Sequence, residues 1–234
     1  MPGFQGFAVQ THAGMAVDNT EIAGVIDDVT IKPSELQDGL WDLAEVRFFQ
    51  VNWADLTMGQ LKLRKGWVGN ISLHRTLYVA ELRGLMQALV RELGDLFSPD
   101  CQADLGDARC KVDLVPLTVT GTVTSVTDRR IFIDTSRTEV NAWFEGGVIT
   151  WTSGLNNQRH MEIEAYNGTT KQFSLFLAMS NSIQVGNTYS VYPGCDKRIA
   201  TCIAKFNNVN NFRGYPYTPG LDNLLRYPDS HIPQ

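Results

Sequence analysis

Six short β-rich runs follow one another between residues 117 and 193: LTVTGTVTSVTD, RIFIDT, FEGGVITWTSG, RHMEIEAYNG, QFSLFLAM and NTYSVYPG. Polar turns separate them, with glycine at points such as Asn167-Gly168. β-Branched and aromatic side chains suit a pleated, half-buried surface, and short runs at regular intervals read as an antiparallel barrel or small sandwich. Residues 22–80 are also strand-like. LAEVRFFQVNW forms one β-rich run, and LKLRKGWVGNISLHRTLYVAEL reads as a pair of strands hinged near Gly69-Asn70. In KPSELQDGLW, Pro33 and Ser34 offer a helix start and Gly39 a stop, enough for one or two turns.

The clearest helical pattern is ELRGLMQALVREL, where Leu82, Leu85, Met86, Leu89, Val90 and Leu93 recur at three- and four-residue spacing ahead of Gly94. It is expected to pack on the preceding sheet. The fold class is therefore mainly β with one amphipathic helix (α+β). Two barrel- or sandwich-like subdomains are expected, over residues 1–94 and 95–234. The last 23 residues hold four of the nine prolines and little periodicity, so they are expected to run as an extended C-terminal tail that, like the first twenty residues, is free to reach neighbours.

With 234 residues the chain can bury a core without covalent staples. A net charge of -5 argues against a nucleic-acid channel or an anionic membrane surface as main partner, since both call for a basic face. The N-terminus lacks the basic start and apolar core of a secretory signal, and no apolar run approaches the ~18 residues of a membrane helix. Folding in a reducing cytosol is expected, where structural disulfides are rare.

The four cysteines of the chain form two pairs flanking the second β block. Cys101 and Cys110 have eight residues between them, and Cys195 and Cys202 have six. If the block brings both loops to one end, four thiolates converge, which suits zinc or an iron-sulfur cluster. The spacing alone decides nothing: zinc ribbons and ferredoxins use tighter gaps, and disulfides or unrelated buried thiols stay open. His160, Glu162 and Glu164 alternate along one strand, with Met161 and Ile163 opposite, and read as a solvated strand side. Asp104 and Asp107 are better placed to shape the first cysteine turn than to act as an acid/base pair. His12, His74 and His231 are scattered. No nucleophile elbow, zincin, phosphate-loop or dinucleotide motif occurs, so nothing marks an active site.

The wording of the cysteine loops is more informative. CQADLGDARCKVDL and YPGCDKRIATCIAKFNNVNNFRGYPYTPG, preceded in order by AEVRFFQVNWAD, LRKGWVGNISL and YVAELRGLMQAL, resemble the phage tail-tip proteins of the lambda L type and the related hub proteins of gene transfer agents. The resemblance runs from about residue 20 to 222. It implies that Cys101, Cys110, Cys195 and Cys202 ligate a [4Fe-4S] cluster acting as a structural cross-link. It also implies a homotrimeric virion component, assembled in the host cytoplasm, that joins the tail tube and distal tail protein to the central receptor-engaging tip protein. An iron-sulfur redox protein or enzyme is the competing class. Cluster enzymes that bind substrate leave one iron open, whereas four thiols close every site. The same hub holding structural zinc is a further alternative.

Overall fold

The computed structural model describes residues 4–6, 19–25, 31–74, 77–89 and 94–218. Two compact units divide the chain, Met1–Leu93 and Gly94–Gln234.

The first unit is a five-stranded antiparallel sheet. Its strands are β1 (Phe4–Gly6), β2 (Asn19–Val25), β3 (Glu45–Val51), β4 (Gln60–Leu73) and β5 (Leu77–Arg83), in the order β1-β2-β5-β4-β3. Among the described residues the sheet is open, with β1 and β3 at its edges, so the expectation of a barrel in this half is corrected. Strand β5 alternates cleanly: Tyr78, Ala80 and Leu82 are buried and the residues between them are not, which fixes one face to the core. Helix α1 (Pro33–Gln37) starts at its proline, is followed by Gly39 in the left-handed region at φ +69°, and buries Leu36 in the same cluster with Ile31 and Val68. That short helix is where the sequence placed it.

The longer helix is not. Residues 77–83 are strand, so Leu82 is buried on a sheet face, and among the described residues helix α2 runs only over Met86–Leu89. Leu85 and Leu89 are exposed, and residues 90–93 lie outside those described. Pairing with β2 and β4 on both sides satisfies the backbone of 77–83, and this tertiary ladder overrides the local helical spacing. The hinge expected at Gly69-Asn70 is likewise a bulge inside one continuous strand, since the β4–β5 register shifts between Val68 and Ile71 without ending β4. Residues 4–6, expected in a free N-terminal segment, pair with β2.

The second unit is a seven-stranded antiparallel sheet. Its strands are β6 (Val119–Thr122), β7 (Ser125–Val126), β8 (Ile131–Ile133), β9 (Val148–Trp151), β10 (His160–Asn167), β11 (Gln172–Leu175) and β12 (Thr188–Tyr192), in the order β6-β12-β9-β10-β11-β8-β7. Only Val123 and Thr124 separate β6 from β7, so one bent run supplies both edges and the sheet curls. Ile149 and Trp151, Phe173 and Leu175, and Tyr189 and Val191 point inward by strict alternation. In β10 the inward residues are Ile163 and Tyr166, three apart, because a bulge between Ile163 and Ala165 shifts the phase. Phe132, Phe144 and Phe173, each 0% exposed, centre the core, with Phe132 stacked on Phe173 at 5.0 Å and Tyr189 edge-on to Phe132 at 5.6 Å.

A buried carboxylate ties the bend together. Asp134 is 0% exposed; its Oδ2 accepts from the Tyr189 hydroxyl at 2.6 Å and the Thr122 N–H at 3.2 Å, and its Oδ1 from Ser136 N–H and hydroxyl. A Cβ at Gly121 would run into this carboxylate and the Tyr189 ring, so β6 can pass only with glycine there. Burial disfavours the charge of Asp134, yet the hydrogen bonds from Ser136 and Tyr189 and the nearby Arg137 outweigh it and hold the carboxyl below its ordinary value of 3.8.

The folded carboxyl has the lower pKa, so its stabilisation is fully present above the unfolded value and is lost as pH falls through the folded one. Tyr189→Phe should destabilise the unit by about 1–3 kcal/mol in denaturant titration at neutral pH and flatten the loss of stability below about pH 3.9. Unchanged stability together with an unchanged acid limb would contradict the assigned role of this pair. Gly121→Ala should cost more than Tyr189→Phe, because both the ring and the carboxylate must move.

Candidate functional site

Where the curled sheet begins and ends decides where the cysteines fall. Strands β6 and β12 pair antiparallel with Val119 opposite Val191, so the chain enters and leaves the sheet side by side. The first cysteine pair precedes β6, the second follows β12, and both are delivered to one end of the unit. Cys101, Cys110, Cys195 and Cys202 line one small pocket, closed in by Ala103, Leu105, Val112 and Phe206. None of the four is joined in a disulfide.

The first loop is wound around Asp107. Its Oδ1 accepts from the Cys110 N–H at 2.6 Å and the Arg109 N–H at 2.9 Å, and its Oδ2 from the Asp104 N–H at 3.1 Å. These bonds, Cys110 N–H foremost, hold the Asp107 carboxyl below the usual range. Turn-shaping is thus what Asp107 does. The second pair leads into an element that the sequence reading missed, helix α3 (Ile199–Phe206): Cys195 precedes it and Cys202 lies buried within it. Asp196 opens it by accepting from Arg198 N–H at 3.0 Å and the Thr201 hydroxyl at 2.8 Å, and Asn207 closes it in the left-handed region at φ 47°. The signal was present: Ile199, Cys202, Ile203 and Phe206 have helical spacing, followed by Asn207-Asn208.

Four further residues assemble the pocket. Asn208 touches both pairs: its side-chain amide donates to the Cys110 carbonyl at 2.6 Å and lies 3.7 Å from Cys110 Sγ, and its backbone carbonyl accepts from Cys202 Sγ at 3.3 Å. The Arg213 backbone N–H donates to Cys101 Sγ at 3.3 Å. Lys197 donates to the Ala103 carbonyl at 2.5 Å and to Asp104 at 2.9 Å, while the Cys101 N–H donates to the Lys197 carbonyl at 2.8 Å. Lys205 anchors α3 from beneath, donating to the carbonyls of Trp143 and Gly194 and lying 4.8 Å from the Trp143 ring centre.

Burial pushes the Cys195 and Cys202 thiols above their ordinary value, and for Cys202 the charges of Cys195, Cys101 and Cys110 push the same way. Four thiolates in mutual electrostatic reach need a positively charged group to be stable together. They are not gathered around a point: among the described residues, no group of three or more His, Cys, Asp or Glu side chains is arranged to hold a metal ion. Four cysteine sulfurs on one pocket are the donor set of zinc and of iron-sulfur sites alike.

The C-terminal stretch is not wholly a free tail. The Gln102 N–H donates to the Arg213 carbonyl at 3.3 Å, the Tyr215 N–H donates to the Ser98 carbonyl at 2.8 Å, and the Phe97 and Tyr215 rings meet at 4.7 Å. Phe212 lines the cysteine pocket and Arg213 and Tyr215 bond to the segment around the first cysteine, which corrects the expectation of a tail free from residue 212 onward; residues 219–234 lie outside those described. His160, Glu162 and Glu164 are exposed on β10 as a solvated side, with Glu164 paired to Arg130 at 2.5 Å.

Among the described residues, no helix is long and apolar enough to cross a membrane. A search of curated proteins found no match. Residues 1–113 match the family described as baseplate hub protein, N-terminal attachment domain, and residues 142–222 match the one described as phage conserved hypothetical protein BR0599. Among solved structures, the chain is similar to one in the virion of a native gene transfer agent (GTA) particle, at 31% identity and a TM-score of 0.83, over 100% of this chain and 82% of that one. Likeness at that identity over the full chain establishes membership: the chain belongs to the family of phage tail and baseplate hub proteins.

Proposed function

We propose that this structural baseplate component is the homotrimeric hub joining the tail tube and distal tail protein to the central, receptor-engaging tip protein, and that Cys101, Cys110, Cys195 and Cys202 hold a [4Fe-4S] cluster in it. The observation carrying the cofactor reading is the single pocket lined by all four cysteines of the chain. When bound, the cluster supplies four covalent links between the loop entering the curled sheet and the loop leaving it. The chain's own residues do the rest: Asp107 sets the first loop, Asn208 clasps Cys110 to Cys202, and Arg213 directs its N–H at Cys101. Full ligation by four thiolates favours a structural role over catalysis, because no position stays open for a substrate.

Deleting the gene should leave particles without complete tails, and a tagged copy restoring them should be found at the tail tip by labelled electron microscopy; complete, infectious particles lacking the chain would refute the hub role. For the cofactor, Cys110→Ser and Cys202→Ser should each abolish most of the visible charge-transfer absorbance of anaerobically purified protein, with the double variant little worse, since ligands of one group are not additive. Full cluster content in either single variant would remove that residue from the ligand set. Asn208→Leu should retain the unit's secondary structure while cluster loss to a chelator accelerates at least tenfold, and Asn208→Asp should fall between. A wild-type rate in Asn208→Leu would show that the clasp does not hold the ligands.

A further inference from the structure

The hairpin of β3 and β4 outgrows the sheet that supports it. From Glu45 to Phe48 its side chains alternate, but beyond the bulge between Phe48 and Phe49 every residue from Phe49 to Leu63 is exposed, on both faces. This arm is apolar where a solvated arm would be polar: Trp53 is 89% exposed, Met58 72%, Leu56 69% and Leu61 63%. Its tip is nonetheless well organised. Asn52 Oδ1 accepts from the Ala54 N–H at 3.0 Å, Asp55 Oδ1 from the Thr57 N–H at 3.0 Å and hydroxyl at 2.6 Å, and a 3-10 turn over Leu56–Met58 ends at Gly59 with φ +83°. A hydrogen-bonded crest of large side chains loses little freedom on docking.

Charge indicates what covers it. Residues 45–73 carry Arg47, Lys62, Arg64 and Lys65 against Glu45 and Asp55, an excess of positive charge in a chain of net -5. A groove along the arm is lined by Phe49 and Leu63 together with Arg47, Lys62 and Lys65. The complementary surface is present in the same sequence: residues 95–115 hold five aspartates against Arg109 and Lys111, and expose Leu96 at 81%, Phe97 at 76% and Val115 at 81%. Both surfaces pair bare apolar side chains with charge, and the charges are opposite.

We propose that the β3–β4 arm docks onto the acidic, apolar strip 95–115 of a second copy of this chain. The contact is heterologous, arm to strip, so repeating it closes a ring where the rotation permits. It deepens the hub reading, on which the biological use of such a ring rests. It also places one copy's arm beside the next copy's first cysteine loop.

The test uses the full chain purified with its cofactor. Nitrogen-14 and nitrogen-15 preparations, each with a photo-cross-linking residue in place of Met58, are mixed and irradiated. Heavy-to-light cross-linked peptides mapping to 95–115 are expected. Trp53→Ser with Leu56→Ser, and separately Leu96→Ser, should each weaken self-association at least tenfold in sedimentation without lowering the melting temperature. Combining them should add little, since both cut one contact. Raising the salt should weaken the wild-type assembly as well. Cross-links found only within one isotope, cross-links landing elsewhere, or self-association that ignores the arm substitutions would each overturn the proposal. Absence of the chain from purified particles would instead defeat the hub reading while leaving this contact standing.

Discussion

The antiparallel pairing of β6 with β12 is the constraint on which the second unit depends. By setting Val119 opposite Val191 it makes the two ends of the curled sheet neighbours, and every feature of the cysteine pocket follows from that adjacency. The loop before the sheet and the loop after it then clasp each other through main-chain bonds, Cys101 to Lys197, Gln102 to Arg213 and Tyr215 to Ser98. The approach is close enough that a Cβ at Gly214 would lie 2.6 Å from the Asp100 carbonyl oxygen. A cross-link at this place joins two segments far apart in sequence and close in space, which is where loop-closure entropy makes a link most effective.

This arrangement suits a baseplate component. The two family matches, to residues 1–113 and 142–222, divide the cysteine pairs between them, so the pocket is where the two recognisable halves of the chain are joined. The first unit supplies an open sheet and a projecting arm; the second supplies a tightly packed aromatic core whose closure is fastened by Asp134 and whose mouth is fastened by the cysteine loops. An open sheet with exposed apolar side chains in one unit and a packed aromatic core in the other are compatible with a structural baseplate component.

Legibility in the sequence followed the range of the interactions. Strands of the second unit could be read because their alternation is local and nearly unbroken, and α1 because Pro33 and Gly39 mark its ends. The helix expected over 81–93 failed at Leu82, whose helical neighbours were outweighed by ladders to β2 and β4, partners distant in sequence. Helix α3 was overlooked although its spacing was visible, because its eight residues fall inside a loop defined by cysteines and prolines. The four cysteines could be named from the wording of their loops, but not Asn208, Arg213 or Lys205. Their roles depend on carbonyls and sulfurs that only the fold brings within reach. The arm's exposure was equally invisible, since an apolar strand looks the same in sequence whether it is buried or bare.

The account's central claim is that the four thiols act together on one polynuclear group. Native mass spectrometry of the anaerobically purified chain tests it most directly. The account predicts one dominant species heavier than the bare 26.1 kDa polypeptide by four irons and four sulfides per chain. A dominant species carrying a single zinc, or the bare chain alone with its cysteines free to alkylation, would contradict it.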